Sequence, residues 1–245
     1  MHGKILNFYE SVVSCDSNNN ICPRTEKNDS TPPRGFYSRG VPSKIDIMVI
    51  GKNPGHLLCD ENGNEAQLYE NHTPREKAEI IFYSNNNNIN INVEFNDPLS
   101  QKFHINLFRY LAYFLDITDK LKTYSDFKNS ENRHQISENT LEKCLITNLV
   151  KCQTITEKEK LKAPTKQNCL NKFLCDEIRF WQPKVILCLG SETDPFIKNK
   201  IKKINDLEKY SNKFVQVRHP SYFYARNKEQ QELCKIKSQI TEILS

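Results

Sequence analysis

Apolar residues fall along this chain in two rhythms. Four short runs are mostly apolar and rich in branched side chains: 45–50 (IDIMVI), 144–152 (CLITNLVKC), 184–190 (KVILCLG) and 214–217 (FVQV). Ile and Val fit a pleated surface covered on both faces, so each run predicts a buried strand. Elsewhere the apolar positions recur every three or four residues, the spacing of a helix with one buried face. That rhythm marks Ile5, Leu6, Phe8, Tyr9, Val12 and Val13, then 98–115 through Leu99, Phe103, Leu107, Tyr110, Leu111 and Phe114. The stretches 168–181 and 191–203 also read as helical. At the end of the chain, 228–244 places Leu233, Ile236, Ile240 and Ile243 on one face.

Punctuation sharpens the boundaries. Thr73-Pro74-Arg75-Glu76 is a helix start, with Thr as cap, Pro in the first position and Glu in the third, so a helix should run to about 83. From Cys15 to Pro42 the chain is crowded with Pro, Gly, Ser and Asn, which predicts an irregular segment that something else must hold down. The loop 56–71 and the low-complexity tract 85–92 (NNNNININ) read as surface connections. The polar stretch from Asp116 to Glu138 gives no clear element. Strands alternating with helices predict a three-layer α/β/α sandwich around a mostly parallel, four-stranded central sheet. A chain of 245 residues carries one such core, so a single domain over 1–245 is expected, with 1–44 as an irregular N-terminal addition.

Composition narrows the class. No apolar run is long enough to span a bilayer, and the first residues lack the apolar core and cleavage site of a signal peptide, so an intracellular protein is expected. The net charge of +5 is compatible with a nucleic-acid partner without demanding one. Nine cysteines without an export signal favour metal or cluster ligation over a disulfide framework, although single cysteines also pack as small hydrophobes.

The polar residues then gather in one kind of place. The first strand runs into Gly51-Lys52-Asn53-Pro54-Gly55, where glycines and a proline make a tight turn that holds Asn53 rigidly. The second strand delivers Asn148, and the fourth delivers Arg218-His219-Pro220-Ser221, in which Pro220 stiffens the turn and pins the direction of the histidine ring. Open α/β sheets bind ligands at the carboxyl ends of their strands, so three chain-distant segments are expected to converge on one crevice.

These residues carry a family resemblance. Gly51-Lys52-Asn53-Pro54-Gly55 and His219-Pro220-Ser221 resemble the two signature motifs of the uracil-DNA glycosylase superfamily. The segment Ile146-Thr-Asn148-Leu-Val-Lys-Cys152, with Cys169, Phe173-Leu174 and 183–190, is similar to its iron–sulfur branch, the family 4 type. Four motifs in the correct order make a joint signal that none makes singly. The resemblance implies the uracil-DNA glycosylase-like fold and hydrolysis of the bond joining uracil to deoxyribose, leaving an abasic site for base excision repair.

It also implies roles. His219 would steady the developing uracil anion, Asn53 would hold the attacking water, and Ser221 would orient the histidine turn. Asn148 would read the uracil edge, because an amide offers both a donor and an acceptor. Gly51, Lys52, Pro54 and Gly55 would form the pocket wall, and Tyr69 would stack on the flipped base, with Phe82 and Tyr83 as rivals. Cys15, Cys22, Cys152 and Cys169 would bind a 4Fe–4S cluster, with a structural zinc as the alternative for the same four thiolates. That cluster would tie the N-terminal segment down, although Cys15 and Cys22 stand farther apart than in that branch. Cys144, Cys175 and Cys188, and with them Cys59 and Cys234, read as core.

The Asn-bearing turn departs from the acidic turn usual in the iron–sulfur branch and resembles that of the mismatch-specific and single-strand-selective branches. Lys52 is the oddest residue in it, touching a phosphate or contributing only its backbone. Tyr222, Phe223, Tyr224 and Arg226 would wedge the duplex or cap the core, and lysines 158, 160, 162 and 166 would touch phosphates or stay solvated. The partner expected is uracil-containing DNA, bound by a monomer. Two other readings stand beside it: a catalytically weak reader of uracil or abasic DNA, and an unrelated Cys-ligated nucleotide-binding protein.

Overall fold

A computed structural model describes residues 2–15, 36–52, 72–83, 102–151, 161–191, 193–221 and 228–245. Its strands are β1 (Phe36–Tyr37), β2 (Ile47–Gly51), β3 (Cys144–Asn148), β4 (Val185–Leu189) and β5 (Phe214–Val217), and they lie in the order β1-β3-β2-β4-β5. The four longer strands form an all-parallel sheet flanked by helices, as the alternation of elements predicts. Ile47 pairs with Val185 and Ile50 with Cys188, and Ile186 pairs with Phe214 and Leu189 with Val217. Every residue of β2 and β4 is buried, which is why these strands read as unbroken apolar runs. On β5, Gln216 is exposed between buried neighbours, as expected of a strand at the edge of the sheet.

The helices are α1 (His2–Val13), α2 (Pro74–Tyr83), α3 (Lys102–Phe114), α4 (Tyr124–Lys128), α5 (Arg133–Lys143), α6 (Ala163–Cys169), α7 (Cys175–Trp181), α8 (Asp194–Ile201) and α9 (Glu229–Leu244). A π-helical turn, Leu170–Leu174, joins α6 to α7, so 163–181 is one helical stretch that begins earlier than its apolar spacing suggests. Among the described residues no helix is long and apolar enough to cross a membrane.

Three sequence expectations are refined. The breaker-rich N-terminal segment still contributes a two-residue strand, β1. The stretch 116–138 folds into α4 and the start of α5. Thr123 caps α4 by accepting from the Asp126 N–H at 3.1 Å, a local signal that hydrophobic spacing does not show. The second strand ends at Asn148, and the residues after it turn away.

The chain folds as two compact units. The first comprises Met1–Tyr37, Lys52–Asn96 and Thr147–Asp176; the second comprises Ser38–Gly51, Asp97–Ile146 and Glu177–Ser245. In the first unit, α1 buries Ile5, Leu6, Tyr9, Val12 and Val13 and packs on α2. Arg75 of α2 donates to Asn7 at 2.6 Å. The expected capping box is formed: the Thr73 N–H donates to Glu76 at 2.7 Å and the Glu76 N–H to the Thr73 hydroxyl at 3.3 Å. That backbone bond from Thr73 holds the Glu76 carboxyl below its ordinary pKa. In the second unit, α3 packs against α4, α5 and α9, and α9 buries Leu233, Ile236 and Ile240.

Candidate active site

In the second unit β2, β4 and β5 run parallel, so Gly51, Gly190 and Arg218 leave the sheet at the same edge. Gly190 has φ +81°, a backbone conformation that side chains rarely adopt, and its N–H donates to the Val217 carbonyl at 2.8 Å. The Gln216 amide closes on the Gly190 carbonyl at 3.1 Å. The end of β5 is thereby fastened just before His219.

His219 is half-buried and held in two ways. The backbone N–H of Ser221 donates to its Nδ1 at 3.3 Å, and the Phe103 ring packs against it with centroids 5.1 Å apart and a tilt of 34°. A neutral imidazole has one donor and one acceptor nitrogen; with Nδ1 accepting, the proton resides on Nε2. The donor of the ring is therefore Nε2–H. Such a donor can stabilise negative charge growing on an oxygen before it, with no reorganisation at the moment of reaction.

The turn that carries this ring rests on α3. Asn106 donates its amide to the Pro220 carbonyl at 2.7 Å and accepts from Arg109 Nε at 2.8 Å. Arg109 also donates to the Lys122 carbonyl at 2.9 Å and pairs with Glu229 at the start of α9, which in turn accepts from the Tyr110 hydroxyl at 2.7 Å. Asn106 is 1 % exposed and Arg109 3 %. These residues escaped the reading of the sequence, because on a helix scored for its apolar face Asn106 and Arg109 are interruptions. Their signal was there nonetheless: a polar pair three residues apart, flanked by Ile105, Leu107 and Phe108, is too buried for solvent to satisfy.

The first unit holds the other polar turns. Asn148 is the last residue of β3, and Lys52 follows β2. The Val150 N–H donates to the Lys52 carbonyl at 3.0 Å, so the backbone of Lys52 ties the two turns together. Lys151 is fully buried, and its ammonium donates to the Thr147 hydroxyl. This buried lysine, three residues beyond Asn148, is a second anchor that sequence reading passed over. Asn53, Pro54, Gly55 and Tyr69 lie outside the described residues, as do the side chains of Phe82 and Tyr83. The aromatic segment 222–226 and the lysines 158 and 160 lie outside them too.

Of the nominated thiol ligands, Cys15 and Cys169 are both buried in the first unit, whereas Cys22 and Cys152 lie outside the described residues. Among the described residues no group of three or more His, Cys, Asp or Glu is placed to hold a metal ion. The Lys172 ammonium stands 3.4 Å from Cys15 Sγ. Lys172 belongs to the π-helical turn that directly follows Cys169. The two described cysteines supply sulfur, the donor type that a cluster or zinc takes. Cys144 and Cys188 differ: burial pushes both thiols well above their ordinary pKa, as for inert core residues. Cys175 is buried as well, and Cys234 lies 3.2 Å from the Tyr113 hydroxyl.

The family model described as the uracil DNA glycosylase superfamily matches residues 38–244, which is most of the chain. No curated protein matches it.

Proposed function

We propose that the chain, which belongs to the uracil DNA glycosylase superfamily, is a uracil-DNA glycosylase acting in base excision repair. The observation that carries the reading is the Ser221 N–H on His219 Nδ1, which assigns the ring proton to Nε2 beside the carboxyl edge of the sheet. Family membership also sets aside an unrelated nucleotide-binding protein.

The reaction breaks the bond between the uracil N1 and the deoxyribose C1′. A stacked base is out of reach, so the nucleotide must first be extruded from the helix. As the bond lengthens, positive charge grows on the sugar and negative charge on the uracil oxygens. His219 Nε2–H donates to a uracil oxygen and stabilises the departing anion. Asn148 pairs with the uracil edge through its amide, and Tyr69 stacks on the base. Asn53 holds the water that adds to C1′; an amide is no base at neutral pH, but positioning suffices when departure of the base dominates the barrier. Gly51, Pro54 and Gly55 form the wall of the pocket, with Lys52 contributing its carbonyl to the scaffold.

Cys15, Cys22, Cys152 and Cys169 would hold a 4Fe–4S cluster, or zinc as the alternative, and its contribution would be structural, fastening the N-terminal segment. On this reading the chain is one glycosylase domain, intracellular and monomeric, with uracil-containing DNA as its partner.

The test is incubation with single- and double-stranded oligonucleotides carrying one uracil, followed by alkali to cut abasic sites. Cleavage well above that of a protein bearing both His219→Ala and Asn53→Ala supports the enzyme. Tight binding of the same oligonucleotides without cleavage would replace it with the reader that recognises uracil or abasic DNA without turnover.

A further inference from the structure

The geometry points to Asn106 as a positioning residue that sets the orientation of the His219 ring through a single peptide group. The inference deepens the proposed function and rests on His219 being the donor to the leaving base.

The carbonyl of Pro220 and the N–H of Ser221 belong to the same peptide unit. That unit is planar, and no peptide bond in the described chain is cis, so its C=O and N–H point in opposite directions. Asn106 holds the C=O end at 2.7 Å, and His219 Nδ1 takes the N–H end at 3.3 Å. The proline ring restricts φ of residue 220, so the plane turns only about ψ of Pro220 and φ of Ser221, and the bond from Asn106 opposes that turn. Fixing the carbonyl therefore aims the N–H, and the N–H decides which imidazole nitrogen carries the proton. A hydrogen bond accepted at the carbonyl also polarises the amide and strengthens its N–H as a donor.

Asn106 can do this only with its amide one way round. Its Oδ1 accepts from Arg109 Nε at 2.8 Å, so its NH2 is committed to Pro220. A flipped amide would set NH2 against a guanidinium N–H and oxygen against a carbonyl, losing two buried hydrogen bonds. Arg109 is itself held by the Lys122 carbonyl, the Tyr110 hydroxyl and the Glu229 carboxylate. Glu229 opens α9, so the order of the histidine turn is set by α3 together with the C-terminal helix. All of these groups lie within one compact unit.

The discriminating variant is Asn106→Asp, which keeps an oxygen for Arg109 and replaces the donor to Pro220 by an acceptor. Single-turnover cleavage of a uracil oligonucleotide should slow by roughly 10–100-fold, the usual cost of a displaced catalytic group, while DNA affinity stays within about twofold. Nitrogen-15 spectra of the imidazoles, with the His219 signals identified by their loss in His219→Asn, should show Nε2 protonated in the native protein and a mixture of tautomers in the variant. Asn106→Ser, which removes the amide without adding charge, gives the same two readouts if the aspartate does not fold. Native-like tautomer and rate in the folded variants would overturn the inference. Absence of cleavage by the native protein would instead defeat the proposed function, and the tautomer comparison would still decide the role of Asn106.

Discussion

Phe103 lies one helical turn before Leu107 on α3 and packs its ring against His219, with centroids 5.1 Å apart and planes inclined by 34°. One face of the imidazole is thereby shielded, while Ser221 holds its inner nitrogen at 3.3 Å. Contact and hydrogen bond act on different freedoms of the same ring, one on its tilt and the other on its spin and tautomer.

Phe103→Ala should therefore leave DNA affinity nearly unchanged and slow base release by about tenfold or more, because the ring loses its stop on one side. Comparison of single-turnover rates with dissociation constants on the same oligonucleotide checks this. A loss confined to affinity would mean that Phe103 serves the DNA surface instead.

The donor to Nδ1 is the backbone of Ser221 and not its hydroxyl, which separates two substitutions. Ser221→Ala keeps the N–H and should retain activity to within about tenfold. His219→Ala removes the stabilising donor and should cost roughly 10²–10³ in rate, as loss of an oxyanion donor does elsewhere. Rates measured side by side at saturating enzyme decide the matter, and equal losses in the two variants would place the hydroxyl in the chemistry.

Arg109 is 3 % exposed and its ion pair with Glu229 is partly buried, so removing the guanidinium strands a carboxylate and an amide. Arg109→Met should lower the unfolding free energy by about 3–5 kcal/mol. Glu229→Gln keeps an acceptor for both Arg109 and Tyr110 and should cost less. Urea unfolding of the two variants measures the difference.

His104 sits beside Phe103, and burial depresses its pKa from 6.5 to about 4. The folded ring stays neutral where the unfolded ring takes up a proton, so protonation favours the unfolded chain. Stability is full above pH 6.5 and falls as the pH drops toward about 4, by on the order of 3 kcal/mol from this one group. His104→Phe should flatten that part of the stability–pH curve. An unchanged slope between these limits would show that other groups control acid unfolding.

If the thiols bind a cluster, the purified protein should be brown and contain about four iron and four sulfide per chain, and Cys169→Ser should abolish both. Cys175→Ser, at a core position, should leave them intact. Colourless protein with one zinc would select the alternative metal, and retention of the metal in Cys15→Ser would remove Cys15 from the ligand set.

The sequence by itself determined the four longer strands and most helices. Fully buried parallel strands must be apolar throughout, so β2 and β4 announce themselves, and the polar residues at the end of β3 and after β5 are conspicuous by contrast. The capping box at Thr73 and Glu76 was legible for the same local reason. Only the tertiary structure decided what holds the histidine. Asn106 meets Pro220 across 114 residues of chain, and Arg109 meets Glu229 across 120. No periodicity records such partners, because the value of a buried polar group depends on what the fold brings opposite it. The motif at His219 marks the group proposed to act, and residues of α3 and α9 hold the turn that carries it.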